Sequence, residues 1–131
     1  MARMTAVLAA LVLLAGMLPA QEQKAPATHT MTGYLVDRNC GQNMAKQGPE
    51  KAMAKAKKHT RECGLMEDCA ASGYGLVSAG TFYPFDAAGN TKAHAYLEAT
   101  KKEQDIAVAV TGTMDGGMMV VTSIADAPPA K

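Results

Sequence analysis

All three cysteines of this 131-residue chain fall between Cys40 and Cys69. That interval constrains the fold more than any other, because it interrupts two β-forming segments with a long excursion that something must fasten. It also holds His59, Met44, Met53 and Met66.

The residues before it, Thr30 to Val36, alternate and are rich in β formers, which predicts a first strand. Asp37 ends that strand, and Asn39-Cys40-Gly41 reads as a turn. Within the excursion, Gly48-Pro49-Glu50 leads into an Ala- and Lys-rich run. Proline suits the first helical position, an acid suits the positive end, and alanine and lysine are strong helix formers. A helix over 49–60 follows. Its apolar face is thin, mainly Ala52, Met53 and Ala56, so it lies on the surface and needs a tether. Between Lys46 and Arg61 there are six basic residues and one acid. That is a solvated face, or else a docking face for an acidic partner or lipid headgroups.

Beyond the excursion, Leu76–Ser78 and Thr81–Phe85 read as strands turning at Gly80. Pro84 cannot donate to a ladder, so the latter lies at an edge or carries a bulge. Asp86 to Asn90 has turn chemistry. Thr91 caps a helix over 92–102 whose Ala93, Tyr96, Leu97 and Thr100 share one face. Ile106–Gly112 is a strand with Ile106, Val108 and Val110 inward. Met114–Gly117 is a hairpin loop, and Met118–Ile124 the last strand, with one of Met118 and Met119 filling the core.

The expected fold is mainly β with two helices, an α+β chain forming a five-stranded OB-like barrel. The Cys-rich helical insert, 38–73, lies between strands one and two, and the other helix between strands three and four. The alternative is an open α+β sheet with both helices on one face. In the barrel, Asp37, Asp115 and Gly116 are candidates for the ligand rim.

The N-terminus has the layout of a secretory signal peptide: Arg3, an apolar run from Thr5 to Met17, and a small residue at Ala20. The run is shorter than the roughly 20 residues that span a bilayer. Cleavage after Ala20 leaves no stable membrane span and places the chain in the periplasm or outside the cell. Residues 21–29 form a lead-in, 30–126 a single domain and 127–131 a tail. Removing Arg3 from 13 basic and 12 acidic residues leaves 12 of each. A near-neutral chain lacks the positive field of a nucleic-acid binder.

Export puts the cysteines where disulfides persist. Cys40, Cys63 and Cys69 allow one bridge with a leftover thiol, or a covalent dimer through the odd cysteine. They also allow a metal site. Three thiolates and the His59 imidazole make a closed tetrahedral zinc site. His59 and Cys63 are four apart and share a face if the helix continues. Met66 joins that stripe, and its soft sulfur turns the preference toward copper. A thiol redox enzyme is a third option, although no Cys-x-x-Cys occurs.

The motifs Gly33-Tyr-Leu-Val-Asp37-x-x-Cys40, His59-x-x-x-Cys63, Cys69, Ser72-Gly-Tyr-Gly-Leu-Val77 and Val110-Thr-Gly-Thr…Val120-x-x-x-Ile124 resemble a group of small exported bacterial OB-like Cys/His proteins, largely uncharacterised. The resemblance covers nearly the whole mature chain. It implies an exported OB-like domain with Cys40, His59, Cys63 and Cys69 as its site or staple, and it brings no activity. The expected function is therefore an exported, non-enzymatic binding or structural module, stapled by cysteines in its first long loop. Its partner is an unidentified protein or small ligand. The alternatives are a periplasmic zinc or copper binder and a thiol redox protein.

Overall fold

The computed structural model describes residues 25–129. The signal-type segment and its cut after Ala20 lie outside the described residues. The elements run β1 (His29–Asp37), α1 (Arg38–Ala45), α2 (Pro49–Lys58), α3 (Arg61–Leu65), α4 (Glu67–Ser72), β2 (Tyr74–Ser78), β3 (Thr81–Pro84), α5 (Ala87–Ala99), β4 (Ala107–Asp115) and β5 (Met118–Asp126). The strands form one antiparallel sheet in the order β3-β2-β1-β4-β5.

β1 is the hub. Its first part pairs with β4 and its last part with β2, and Tyr34 faces Ala107 on one side and Val77 on the other. Gly33 sits at this changeover. A Cβ there would stand 2.4 Å from the Val77 carbonyl oxygen, so only glycine lets the two strands approach.

Strand alternation sorts the core onto two faces. Leu35, Leu76, Val108 and Val110 lie on one face with Tyr74, Phe85, Ile106 and Met119, covered by Ala93 and Leu97 of α5. Val36 and Val77 lie on the other, covered by Met44 of α1 and by Ala52 and Ala56 of α2. The two long helices thus pack on opposite faces, not on one. The thin apolar stripe of α2 works because both alanines are fully buried, letting the backbone lie close to the sheet.

The expected strands are present, and α5 does fall between β3 and β4. Met119 is buried while Met118 is exposed. Gly116 and Gly117 take φ of 56° and 82° between the paired residues Asp115 and Met118. Left-handed backbone at both central positions is the demand of a two-residue type I′ hairpin.

Four expectations need correction. First, the sheet is not closed into a barrel. One parallel bridge, Phe85 to Met119, and one hydrogen bond, Asp86 N–H to the Met119 carbonyl at 3.0 Å, join its edges. Pro84 brings no N–H, and Asp86 then turns the chain into α5, so the contact ends there. Second, the insert contains four helices, giving five in the described residues and not two. Third, Asn39-Cys40-Gly41 is helical because the Asp37 carboxylate caps α1, accepting the Cys40 N–H at 2.9 Å. Fourth, the last helix begins at Ala87. Asp86, not Thr91, is its cap: Oδ1 accepts from Gly89 N at 2.9 Å and Val121 N at 3.1 Å.

Candidate metal centre

Each cysteine occupies the same local position, three residues after the N-cap of a short helix. Asp37 caps α1 and its Oδ1 accepts from Cys40 N. Thr60 caps α3 and its hydroxyl accepts from Cys63 N at 3.1 Å. Met66 occupies the cap position of α4, ahead of Cys69, without a side-chain bond. The first turn of a helix directs its third side chain back toward the cap, so this spacing turns each thiol toward the point where the chain enters.

His59 is not on a helix with Cys63. The chain breaks there, with His59 at φ −61°, ψ 131°, ending α2 before Thr60 starts α3. The stripe of His59, Cys63 and Met66 expected from helical spacing therefore does not form. The break still delivers His59 and Cys63 to one place. Ligand atoms of Asp37, Cys40, His59 and Cys63 all lie within 4.8 Å of one another. A tetrahedron with bonds of 2.0–2.3 Å sets ligand spacings of roughly 3.3–3.8 Å, so only the widest spacings need to close, by about 1 Å, to grip an ion.

Asp37 is fully buried, and His59 nearly so. The His59 Nε2–H donates to Asp37 Oδ2 at 2.8 Å. A carboxylate can only accept, so this bond fixes the proton on Nε2. His59 Nδ1 is buried and has no partner among the protein atoms. An imidazole held by a carboxylate on one nitrogen, with the other left for an ion, is the usual outer arrangement of a metal-binding histidine.

Burial works against the Asp37 carboxylate, but hydrogen bonds from His59 and from the Cys40 amide and thiol outweigh it and hold its pKa below the usual range. The same carboxylate acts on the thiols. Burial, then the Asp37 charge, pushes Cys40 up to about 12. Cys69 is raised by burial, by Asp37 and by the neighbouring Cys63 thiol. Without a cation these thiols stay protonated, which is the opposite of a low-pKa nucleophile.

The three cysteines are free thiols, each half-buried, and the expected bridge is not formed. Cys69 belongs to the neighbourhood through Cys63, yet stands outside the tight group of four. Met66 is 56% exposed and is not among the four. Asp115 and Gly116 are far along the sheet. The β1–β4 register pairs His29 with Gly112 and Tyr34 with Ala107, so the β4–β5 loop lies at the end opposite Asp37. No shared rim of Asp37, Asp115 and Gly116 exists.

Sequence spacing underrated Asp37. The overlooked signal is the repeated interval from cap to cysteine, Asp37-x-x-Cys40 and Thr60-x-x-Cys63. Tyr74 supports the site from behind. It is buried, and its hydroxyl donates to the Gly64 carbonyl at 2.8 Å and lies 3.0 Å from His94 Nδ1, tying α3 to α5.

No family model matches the chain, and comparisons with curated proteins and with solved structures found no match. No helix among the described residues is long and apolar enough to cross a membrane.

Proposed function

We propose that this chain is an exported, OB-like module that binds one transition-metal ion, of the zinc class, in the insert of its first long loop. The observation that carries the reading is the buried Asp37–His59 pair, with His59 Nδ1 unpartnered, set against the Cys40 and Cys63 thiols. A buried polar atom without a partner is costly unless something fills the place. Two thiolates and an imidazole are the donors that zinc prefers. Asp37 orients the imidazole, and as the remaining member of the tight group its carboxylate takes the fourth position. Copper(I) would ask for a further soft ligand. The exposed Met66 does not provide one inside the cluster.

An OB-type frame is supported by the strand order, by α5 between β3 and β4, and by the parallel bridge from Phe85 to Met119 that brings the two edge strands together. The OB fold is itself a partly open barrel. The signal-type N-terminus supports export to the periplasm or beyond. The cysteines then serve as ligands in place of the staple expected from sequence.

The test is anaerobic purification followed by elemental analysis and thiol alkylation. About one equivalent of zinc, with thiols that alkylate only after chelation, is the expected result. Zinc and copper both well below one equivalent, with two cysteines resisting alkylation until reduction, would return the chain to a disulfide-stapled module.

A further inference from the structure

Two thiols, an imidazole and a carboxylate supply the four ligands that a tetrahedral ion takes, and a third thiol lies beside Cys63. The surplus thiol is Cys69, and its surroundings differ from those of the others. Cys63 and Cys69 are neighbours, on consecutive helices that share Met66 as the end of one and the start of the next. α4 buries none of its residues and has no side-chain cap. Cys40 is held more firmly. Its helix is capped by Asp37, buries Gly41 and Met44, and is packed so closely that a Cβ on Gly41 would lie 2.3 Å from the Phe82 ring. A small turn of α4 moves Cys69 while disturbing no buried side chain of that helix. The equivalent movement of Cys40 would disturb the core.

Resting on the metal-binding reading above, we propose that Cys63 and Cys69 are a redox gate for the metal centre, joined as a disulfide by a hydroperoxide oxidant so that the ion is released. One thiolate attacks the peroxide, the O–O bond breaks, and a sulfenic acid forms with loss of hydroxide. The second thiol attacks the sulfenic sulfur, the S–S bond forms and water leaves. In sum, two thiols lose two electrons and two protons, and one hydrogen peroxide becomes two waters. The ion loses Cys63, and Cys69 cannot replace it. It keeps only Cys40, His59 and the Asp37 carboxylate. A dithiol reductant reverses the step and restores the site.

The experiment uses the full chain loaded with one equivalent of zinc. Hydrogen peroxide is added, freed zinc is followed with a chromogenic chelator, and alkylated peptides are mapped by mass. The expected result is zinc release in step with a Cys63–Cys69 linkage, both reversed by a dithiol. Cys69→Ser should hold zinc and release it about tenfold more slowly at the same peroxide concentration. A linkage to Cys40, or release from Cys69→Ser as fast as from the parent, would overturn the gate. Zinc that binds but stays put in peroxide also overturns the gate and leaves metal binding standing. Failure of the reduced parent chain to bind zinc at all removes both.

Discussion

Replacing Asp37 separates its structural work from its work on His59. Asp37→Ala removes the α1 cap, worth about 1 kcal/mol. It also removes a buried hydrogen bond between a charged acceptor and the His59 ring, worth about 1.5–3 kcal/mol, and leaves both His59 nitrogens without partners. The sum, about 2.5–4 kcal/mol, is a large share of the roughly 5–15 kcal/mol that holds a domain together. At about 4–8 °C per kcal/mol, the melting temperature should drop by roughly 10–32 °C. Asp37→Asn behaves differently. Asparagine caps as well as aspartate, so stability should fall by only about 1 kcal/mol. Its amide, however, donates to His59 Nε2 and drives the ring proton onto Nδ1, which removes the lone pair that an ion would use. Zinc affinity should therefore fall about 10–100-fold although the fold survives. Urea denaturation of the metal-free, reduced protein and zinc competition against a chelator measure the two effects. Equal destabilisation by Ala and Asn, or unchanged zinc affinity in Asp37→Asn, would refute the division of roles.

Three further outcomes follow from the same geometry. Gly33→Ala places a methyl group 2.4 Å from the Val77 carbonyl oxygen, against backbone that cannot swing aside; a loss of about 1–3 kcal/mol in urea denaturation is expected. Because the hydrogen bonds from His59 and Cys40 hold the folded Asp37 carboxyl below the ordinary carboxylate range, the unfolded chain takes up the proton first as pH falls. Its contribution is complete above about pH 5 and disappears as pH drops through the folded value, so melting curves from pH 6 to 2.5 should show an acid limb that Asp37→Asn flattens. Zinc binding at pH 7 must deprotonate the thiols it engages, Cys40 among them with its pKa of about 12. Calorimetry in buffers of different ionisation enthalpy should report about two protons released per ion.

The strands were legible because their signal is local. Alternation marks β1, β4 and β5, the two glycines after Asp115 mark the hairpin, and Pro84 marks β3 as an edge, which it is. Helix boundaries were less legible because caps compete with turns for the same residues. Asn39-Cys40-Gly41 has the composition of a turn. It becomes helical because Asp37 caps it and because the Phe82 ring packs where a side chain on residue 41 would stand. Asp86, which also has the composition of a turn, is a cap for the same reason: its carboxylate serves Gly89 and, across the fold, Val121, a partner that spacing along the chain cannot reveal.

The sequence by itself determined the alternating strands, the Ala- and Lys-rich helix, and the set of sulfur and imidazole donors confined to one insert. These depend on residue type and on periods of two or a few residues. Only the tertiary structure decided which donors meet. A continued helix would have joined His59 to Cys63 and Met66. The break at His59–Thr60 instead turns His59 inward against Asp37 and leaves Met66 outside. The physical reason is that a buried carboxylate needs donors. Asp37, fully buried at the end of the central strand, finds them in the Cys40 amide and the His59 ring, and so places the two on either side of itself.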